Sequence, residues 1–357
     1  MAAELTPLDV IIRDRITREG PISVYDFMTL ALSHPEHGYY RARPAIGRSG
    51  DFITAPEISQ TFGEILGLWT AVAAQMAAPE GPLALIEIGP GRGTLMADAL
   101  RALKVVPGLM SRLSVHLVEP SPALRAEQEK VLANAPVTPH WHERLSDVPL
   151  SPSVVLANEV VDALPVRQLV RHSGQWHERV VAIGADGALA FTIGEPVSIG
   201  LASATDGDIL EMRPDVAAFV GAIAERARSA PTAALLIDYG HERTGVGDTL
   251  QAIRHHQRSD PLARAGESDL TAQVDFEALA AAADACGLAV DGPVPQASFL
   301  GVLGIVERAE RLMRTGSSAQ AATIEAGVLR LIDPSGMGSR FKVLGLRSPG
   351  IPRLPGL

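Results

Sequence analysis

One cysteine, Cys286, stands in a chain of 357 residues. A single thiol closes no internal disulfide, so the chain reads as one that works in a reducing compartment. Cys286 lies in Ala-Ala-Ala-Asp-Ala-Cys-Gly at the end of an expected helix, which marks a packing thiol rather than a nucleophile. Lysine is scarce, and no run of basic residues stands out. With a formal charge of -10, the chain repels nucleic-acid phosphates, and no nucleic-acid partner is expected. No apolar stretch approaches the roughly 20 residues of a membrane span. The first residues, Met-Ala-Ala-Glu-Leu-Thr-Pro, lack the basic region and apolar block of a signal peptide. No membrane insertion is expected. A Walker-type Gly-Lys-Ser/Thr loop is missing, and no Ser/His/Asp triad can be read. His255 and His256 are adjacent, without the i, i+4 spacing of a helical metal pair. His140-Trp-His142 offers two imidazoles on one strand face, but no Cys or Glu completes a set. No metal is expected.

What is present points to a large core. Hydrophobic residues make up 46% of the chain and charged residues 20%, which argues against global disorder. The length suits two domains, or one large domain with additions. Residues from Pro7 to Leu32 read as two helices, with Ser23 and Asp26 set as a capping box. A Gly- and Pro-rich stretch follows from His34 to Glu57, then a helix from Ser59 to about Ala77. From Leu83 short apolar runs alternate with helical patterns. Strands are expected at Leu83–Ile88, Val115–Val118, Val154–Ala157 and Ala233–Ile237, and helices at Leu95–Leu103, Pro122–Ala133 and Phe276–Cys286. This alternation predicts an α/β doubly wound, largely parallel sheet with both faces covered. Val166–Ile193 alternates apolar and polar residues around turn signals, as an inserted antiparallel meander would. Asp238–Asp275 reads as a long polar loop of the functional kind. Phe341-Lys-Val-Leu is a last strand, and the tail beyond it reads as loose. The expected organisation is an N-terminal helical and lid region over 1–80, a ligand-binding α/β domain over 81–347 with a β insertion at about 166–200, and a tail over 348–357.

The chemistry centres on Glu87-Ile-Gly-Pro-Gly-Arg-Gly-Thr94, which follows a strand and opens a helix. Gly89, Gly91 and Gly93 let the backbone turn sharply and approach a ligand, and the helix start offers free N–H groups. Dinucleotide sites use G-x-G-x-x-G. Here the spacing is G-x-G-x-G with Thr94 next, so that pattern fails at its third glycine. Glu119, at the end of the next strand, is placed to accept both hydroxyls of a ribose. Glu87, just before the glycines, suits a site for S-adenosylmethionine, which has no pyrophosphate and needs room for a methionine part. A second constellation, Asn158-Glu159-Val-Val-Asp162, follows the strand that ends at Ala157. Ligands of doubly wound folds bind beyond the carboxyl ends of strands, so these residues are expected at the reactive end of the cofactor. The plainer reading of them is a helix cap and a solvated face.

The blocks His34-Pro-Glu-His-Gly-Tyr-Tyr, Gly50-Asp-Phe-Ile-Thr-Ala-Pro-Glu-Ile-Ser, Phe62-Gly-Glu, Glu87–Leu95, Ala157-Asn-Glu-Val-Val-Asp-Ala-Leu-Pro, Ile237-Asp-Tyr-Gly-His and Asp269-Leu-Thr-Ala-Gln-Val-Asp-Phe resemble, in order, those of the MidA family. The resemblance covers nearly the whole chain. It implies a Rossmann-like class I methyltransferase fold with a helical N-terminal addition and an inserted β-meander. It also implies protein arginine methylation with S-adenosyl-L-methionine as cofactor. In the mitochondrial members the target is a subunit of respiratory NADH dehydrogenase, in complex I assembly.

On that basis Glu159, Asp162 and Asn158 are the first candidates for catalysis, because carboxylates can grip a guanidinium fork and draw charge from the attacking nitrogen. Glu57, Asp238 and Glu267 are alternates. Glu87, Gly89, Gly91, Gly93, Thr94 and Glu119 are expected to hold the cofactor. Gly50, Asp51, Phe52 and Thr54 are expected to fold over it as a lid, or else to make ordinary turns. Tyr39 and Tyr40 would line a substrate channel or pack the N-terminal helices. The expected partner is a protein bearing the arginine, the expected oligomer a homodimer, and the expected location the bacterial cytoplasm, with the mitochondrial matrix reserved for a eukaryotic source. Three other readings stay open: a small-molecule methyltransferase, an assembly chaperone that binds the cofactor with little catalysis, and, furthest from the pattern, a dehydrogenase that binds NAD.

Overall fold

The computed structural model describes residues 5–42, 54–200 and 204–357. It divides into two compact units.

The larger unit comprises Ile53–Val161, Ala217–Arg243 and Val274–Leu357. Among the described residues its sheet has eight strands, the short Val274–Asp275 and seven along the main path: β1 (Leu83–Ile88), β2 (Leu113–Val118), β3 (Pro139–His142), β4 (Ser153–Asn158), β5 (Thr232–His241), β6 (Ala289–Pro295) and β7 (Phe341–Arg347). Their order is β6-β7-β5-β4-β1-β2-β3. The pairs β1–β2, β1–β4, β2–β3 and β4–β5 are parallel, and β7 runs antiparallel to both β5 and β6. This is the doubly wound sheet that the apolar runs predicted. β1 sits where the strand order reverses, with β2 on one side and β4 on the other, and such switch points are where these folds bind ligands.

The inner strands are buried along their length, which is why they read as continuous apolar runs rather than alternating ones. Two glycines bring a helix of the sheet's outer layer close to its neighbour. On α1 (Gln60–Ala77), a Cβ at Gly63 would lie 2.6 Å from Asp98 Cβ, and one at Gly67 would lie 2.6 Å from the Ala99 carbonyl oxygen. Asp98 and Ala99 belong to α2 (Thr94–Leu103), the helix opened by the glycine turn. Gly240 has the same function at the end of β5. A Cβ there would meet the Val274 carbonyl oxygen at 2.0 Å, and the two residues pair in register.

Two features of this unit differ from the sequence reading. Helices Gln296–Val302, Ile305–Thr315 and Ser318–Ile332 follow β6, in a stretch where the sequence reading places no element. The C-terminal tail is packed, not loose: Ile351 and Leu354 are buried in the main core, and the Trp69 indole N–H donates to the Pro355 carbonyl at 3.1 Å. Prolines and glycines made that tail look irregular, but irregular backbone can still bury two apolar side chains.

The smaller unit comprises Met1–Phe52, Asp162–Val216 and Thr244–Gln273. Helices Pro7–Glu19 and Val24–Ser33 form its apolar cluster with Val166, Val181 and Leu270. The Ser23 hydroxyl oxygen accepts from the Asp26 N–H at 3.0 Å, and the hydroxyl donates to the Asp26 carboxylate at 2.6 Å. The expected meander is present as Arg167–His172, Gln175–Ile183 and Leu189–Val197, extended by Ile22–Ser23 and Ile209–Met212. The polar stretch expected to be a long loop instead contains a three-stranded sheet made of Gln251–Arg254, Gln257–Ser259 and Asp269–Thr271. His255 and His256, both at positive φ, form the two-residue turn between its first two strands, a backbone twist that suits tight hairpins.

Candidate functional site

β1 delivers Glu87 and Ile88 to the start of the glycine turn. Gly89, Gly91 and Gly93 all have positive φ, at 63°, 54° and 84°. A residue with a Cβ is strained in that region, so backbone conformation favours glycine at all three positions. Gly89 also makes room: a Cβ there would lie 2.8 Å from Val160 Cγ2. Glu87 is buried and accepts a hydrogen bond from the Met96 backbone N–H. Burial, only partly offset by that bond, pushes its pKa up to about 8. Its Oε2 has no hydrogen-bond partner among the described residues. A buried carboxyl oxygen left in this state is costly unless something else meets it.

Glu119 follows β2 and is buried. Its Oε1 accepts from the Ser121 N–H at 2.8 Å, and its Oε2 from the Gln128 side-chain amide at 3.4 Å. These bonds orient the carboxylate. Gln128 was missed by sequence reasoning. It lies on α3 (Pro122–Val131), whose buried residues are Leu124 and Gln128. A polar residue one turn on, at a position of the apolar stripe, was the signal available.

β4 delivers Asn158 and Glu159. Glu159 has φ 54°, a conformation that non-glycine residues rarely hold and that clusters at functional sites. Its N–H donates to the Ile237 carbonyl at 2.8 Å. Its Oε1 accepts from the Ala55 N–H and from the Asn158 amide, both at 3.1 Å. Asp238, an alternate candidate from β5, is occupied structurally. Oδ2 accepts from the Val160 and Val161 N–H groups at 3.2 and 3.0 Å, and Oδ1 from the Tyr239 N–H at 2.9 Å. It holds the segment just after Glu159.

Glu57 accepts from the Thr94 hydroxyl and lies 3.6 Å from the Arg92 guanidinium, so it ties the glycine turn to the short helix Ala55–Ile58. Thr54 precedes that helix at its N-cap position but makes no side-chain cap. Gly50, Asp51 and Phe52 lie outside the described residues.

Asp162 belongs to the smaller unit. Its carbonyl accepts from the Ala272 N–H at 3.2 Å and from Arg213 at 3.4 Å. There Tyr39 is buried in the helical cluster, and the Tyr40 hydroxyl donates to Asp269 at 2.8 Å. Burial, with the Asp269 and Asp162 carboxylates near it, holds the Tyr40 pKa well above its usual value. Glu267 is ion-paired with Arg254 and Arg264, at 3.2 and 2.7 Å. Among the described residues no group of three His, Cys, Asp or Glu side chains could hold a metal ion, and no helix is long and apolar enough to cross a membrane.

Residues 65–294 match the family model described as "Putative S-adenosyl-L-methionine-dependent methyltransferase". The chain belongs to this family. Among its relatives is "Protein arginine methyltransferase NDUFAF7 homolog, mitochondrial" of Drosophila melanogaster, 37% identical, with 95% of this chain and 84% of the relative covered. "Protein arginine methyltransferase NDUFAF7, mitochondrial" of Danio rerio is 34% identical over 92% of this chain and 84% of the relative. A crystal structure of a Burkholderia thailandensis protein bound to S-adenosyl-homocysteine superposes with a TM-score of 0.85 at 29% identity, covering 98% of this chain and 94% of that one. The family gives the reaction class and the cofactor: this is a methyltransferase that uses S-adenosylmethionine.

Proposed function

We propose that this methyltransferase transfers the methyl group to an arginine of a protein partner, with S-adenosylmethionine seated on the Gly89–Gly93 turn and Glu159 at the acceptor end. The residues of the turn fit the cofactor chemically. Glu119, a carboxylate oriented by Ser121 and Gln128 at the end of β2, is the group type that accepts the hydroxyls of a ribose. The Oε2 of Glu87, unmet by any described residue, suits a donor group on a methionine part. Three glycines at positive φ keep side chains off the surface between them. Bound there, the cofactor supplies a methyl group on a sulfonium.

The observation that carries the acceptor assignment is the backbone of Glu159. A glutamate kept at φ 54°, with its carboxylate gripped by Ala55 and Asn158, is a costly arrangement. The cost makes sense if the carboxylate must meet a cationic acceptor. A guanidinium is such an acceptor: its lone pairs are delocalised, and a carboxylate beside it draws positive charge from the attacking nitrogen. The rest of the catalysis is alignment. The names of the relatives support arginine over other acceptors. Thr94, which Glu57 engages, is proposed as part of the cofactor turn. The chain is proposed to act in the bacterial cytoplasm. The first partner to try is the respiratory NADH dehydrogenase subunit implied by the family resemblance.

The test is incubation with methyl-labelled S-adenosylmethionine and a lysate of the source cell, followed by acid hydrolysis of the labelled fraction. Label in protein, released as methylarginine, is the expected result. Label only in small molecules overturns the protein acceptor. Cofactor binding with no label in any fraction favours the chaperone reading.

A further inference from the structure

We infer that Gln128 is a positioning residue for the cofactor site: it locks the ribose carboxylate Glu119 to the middle of the glycine turn. This inference rests on the cofactor placement proposed above.

Gln128 is fully buried on α3. Its side-chain oxygen accepts from the Trp141 indole N–H at 2.8 Å. Its amide nitrogen donates to the Gly91 carbonyl at 2.8 Å and to Glu119 Oε2 at 3.4 Å. The orientation of a buried amide is usually ambiguous. Here its neighbours fix it. An indole N–H can only donate, while a carbonyl and an ionised carboxylate can only accept. The oxygen must therefore face Trp141, and the NH₂ must face Gly91 and Glu119. A flipped amide would leave an unmet donor on one side and two acceptors facing an oxygen on the other.

The consequence is a fixed separation between two parts of one ligand site that come from different strands. Gly91 lies in the turn after β1, and Glu119 lies past β2. The backbone at Glu119 is placed by the Gly89 N–H, which donates to the Val118 carbonyl at 3.1 Å, by its own N–H, which donates to the His142 carbonyl at 2.9 Å, and by Arg125, which donates to the Glu119 carbonyl at 2.6 Å. Gln128 adds the link from the Glu119 side chain to the Gly91 carbonyl, and Trp141 on β3 in turn holds Gln128. Ser121 orients the other carboxylate oxygen. A ligand that lies on the turn and also uses Glu119 therefore meets a pre-set spacing, which lowers the ordering cost of binding.

Apolar replacement shows the alternative. Gln128→Leu would fill much of the same volume, but the Gly91 carbonyl, the Glu119 carboxylate and the Trp141 N–H would all lose a partner. Leucine packs beside it: a Cβ at Gly93 would lie 3.4 Å from Leu132 Cδ1 and 3.5 Å from Gln128 Cγ. A purely packing position would have been served by leucine.

The experiment measures S-adenosyl-homocysteine binding by calorimetry, using the whole protein and the variants Gln128→Leu, Trp141→Phe, Glu119→Gln and the double variant Gln128→Leu/Glu119→Gln. Circular dichroism confirms folding of each. Gln128→Leu is expected to weaken binding about tenfold or more, and Trp141→Phe, which only loosens the amide, by about threefold. In the Glu119→Gln background, Gln128→Leu is expected to add less than threefold, because the two residues act as one unit. A merely structural role would lower the melting temperature and leave this coupling at zero. If Gln128→Leu does not fold, Trp141→Phe carries the test. Affinity unchanged in Trp141→Phe, or a Gln128→Leu loss equally large in both backgrounds, overturns the inference. Failure of the wild-type protein to bind overturns the cofactor placement instead, so the two failures are distinct.

Discussion

The backbone N–H of Ala55 donates to Glu159 Oε1 at 3.1 Å across 104 residues of sequence. The same oxygen accepts the Asn158 amide. The short helix that begins at Ala55 also carries Glu57, which receives the Thr94 hydroxyl beside the glycine turn. One small element thus touches both the proposed acceptor carboxylate and the first residue of α2.

Glu159→Gln keeps an oxygen for Ala55 and Asn158 but removes the charge. The protein is expected to fold with a melting temperature close to that of the wild type. Methyl transfer at saturating cofactor is expected to fall about 100-fold or more, as for loss of a transition-state electrostatic partner. Activity within threefold of wild type would remove Glu159 from the acceptor site.

Gly91→Val places a β-branched residue at φ 54°, where a side chain costs about 1–2 kcal/mol, and puts a side chain on the turn surface. Thermal stabilisation by S-adenosyl-homocysteine is expected to disappear. A ligand-induced shift equal to that of the wild type would contradict the role given to the turn.

Asp238→Ala separates structure from chemistry. It leaves the N–H groups of Val160, Val161 and Tyr239 without their acceptor. Val161 is buried, and an unmet buried donor costs about 1–3 kcal/mol. The urea midpoint is expected to fall with the slope unchanged, and activity is expected to fall along with the folded fraction. A stable but inactive variant would restore Asp238 as a catalytic candidate.

Glu87 makes stability depend on pH. Its pKa rises from 4.5 in the unfolded chain to about 8 in the folded one, so between these values the folded state holds a proton that the unfolded state has released. Its stabilising contribution is complete below about pH 4.5 and is lost as pH rises through about 8. In the absence of ligand, Glu87→Gln is expected to gain stability relative to wild type as pH rises from about 5 to about 8, followed by urea midpoints at each pH. Parallel pH profiles would show that Glu87 keeps an ordinary pKa.

The strands around the turn were legible because burial on both faces leaves a continuous apolar run. The turn was legible because G-x-G-x-G is a backbone requirement, met here by three positive φ values. Asn158 and Glu159 could be placed from the strand before them, but the strain at Glu159 could not, since it depends on Ile237 and Ala55. Gln128 showed in the sequence only as a polar residue in an apolar stripe; its role comes from Gly91, Glu119 and Trp141, which meet only in the fold. The hairpin at 251–259 was read as loop because Gln251, Arg254, Gln257 and Arg258 give no apolar alternation. Its signal was turn geometry at His255-His256.

The most direct test of the account is a calorimetric titration of the wild-type protein with S-adenosyl-homocysteine, repeated with NAD and with Glu119→Ala. The account predicts one site per chain for S-adenosyl-homocysteine, no heat from NAD, and binding weakened about tenfold or more by Glu119→Ala. Saturable binding of NAD with none of S-adenosyl-homocysteine would contradict it.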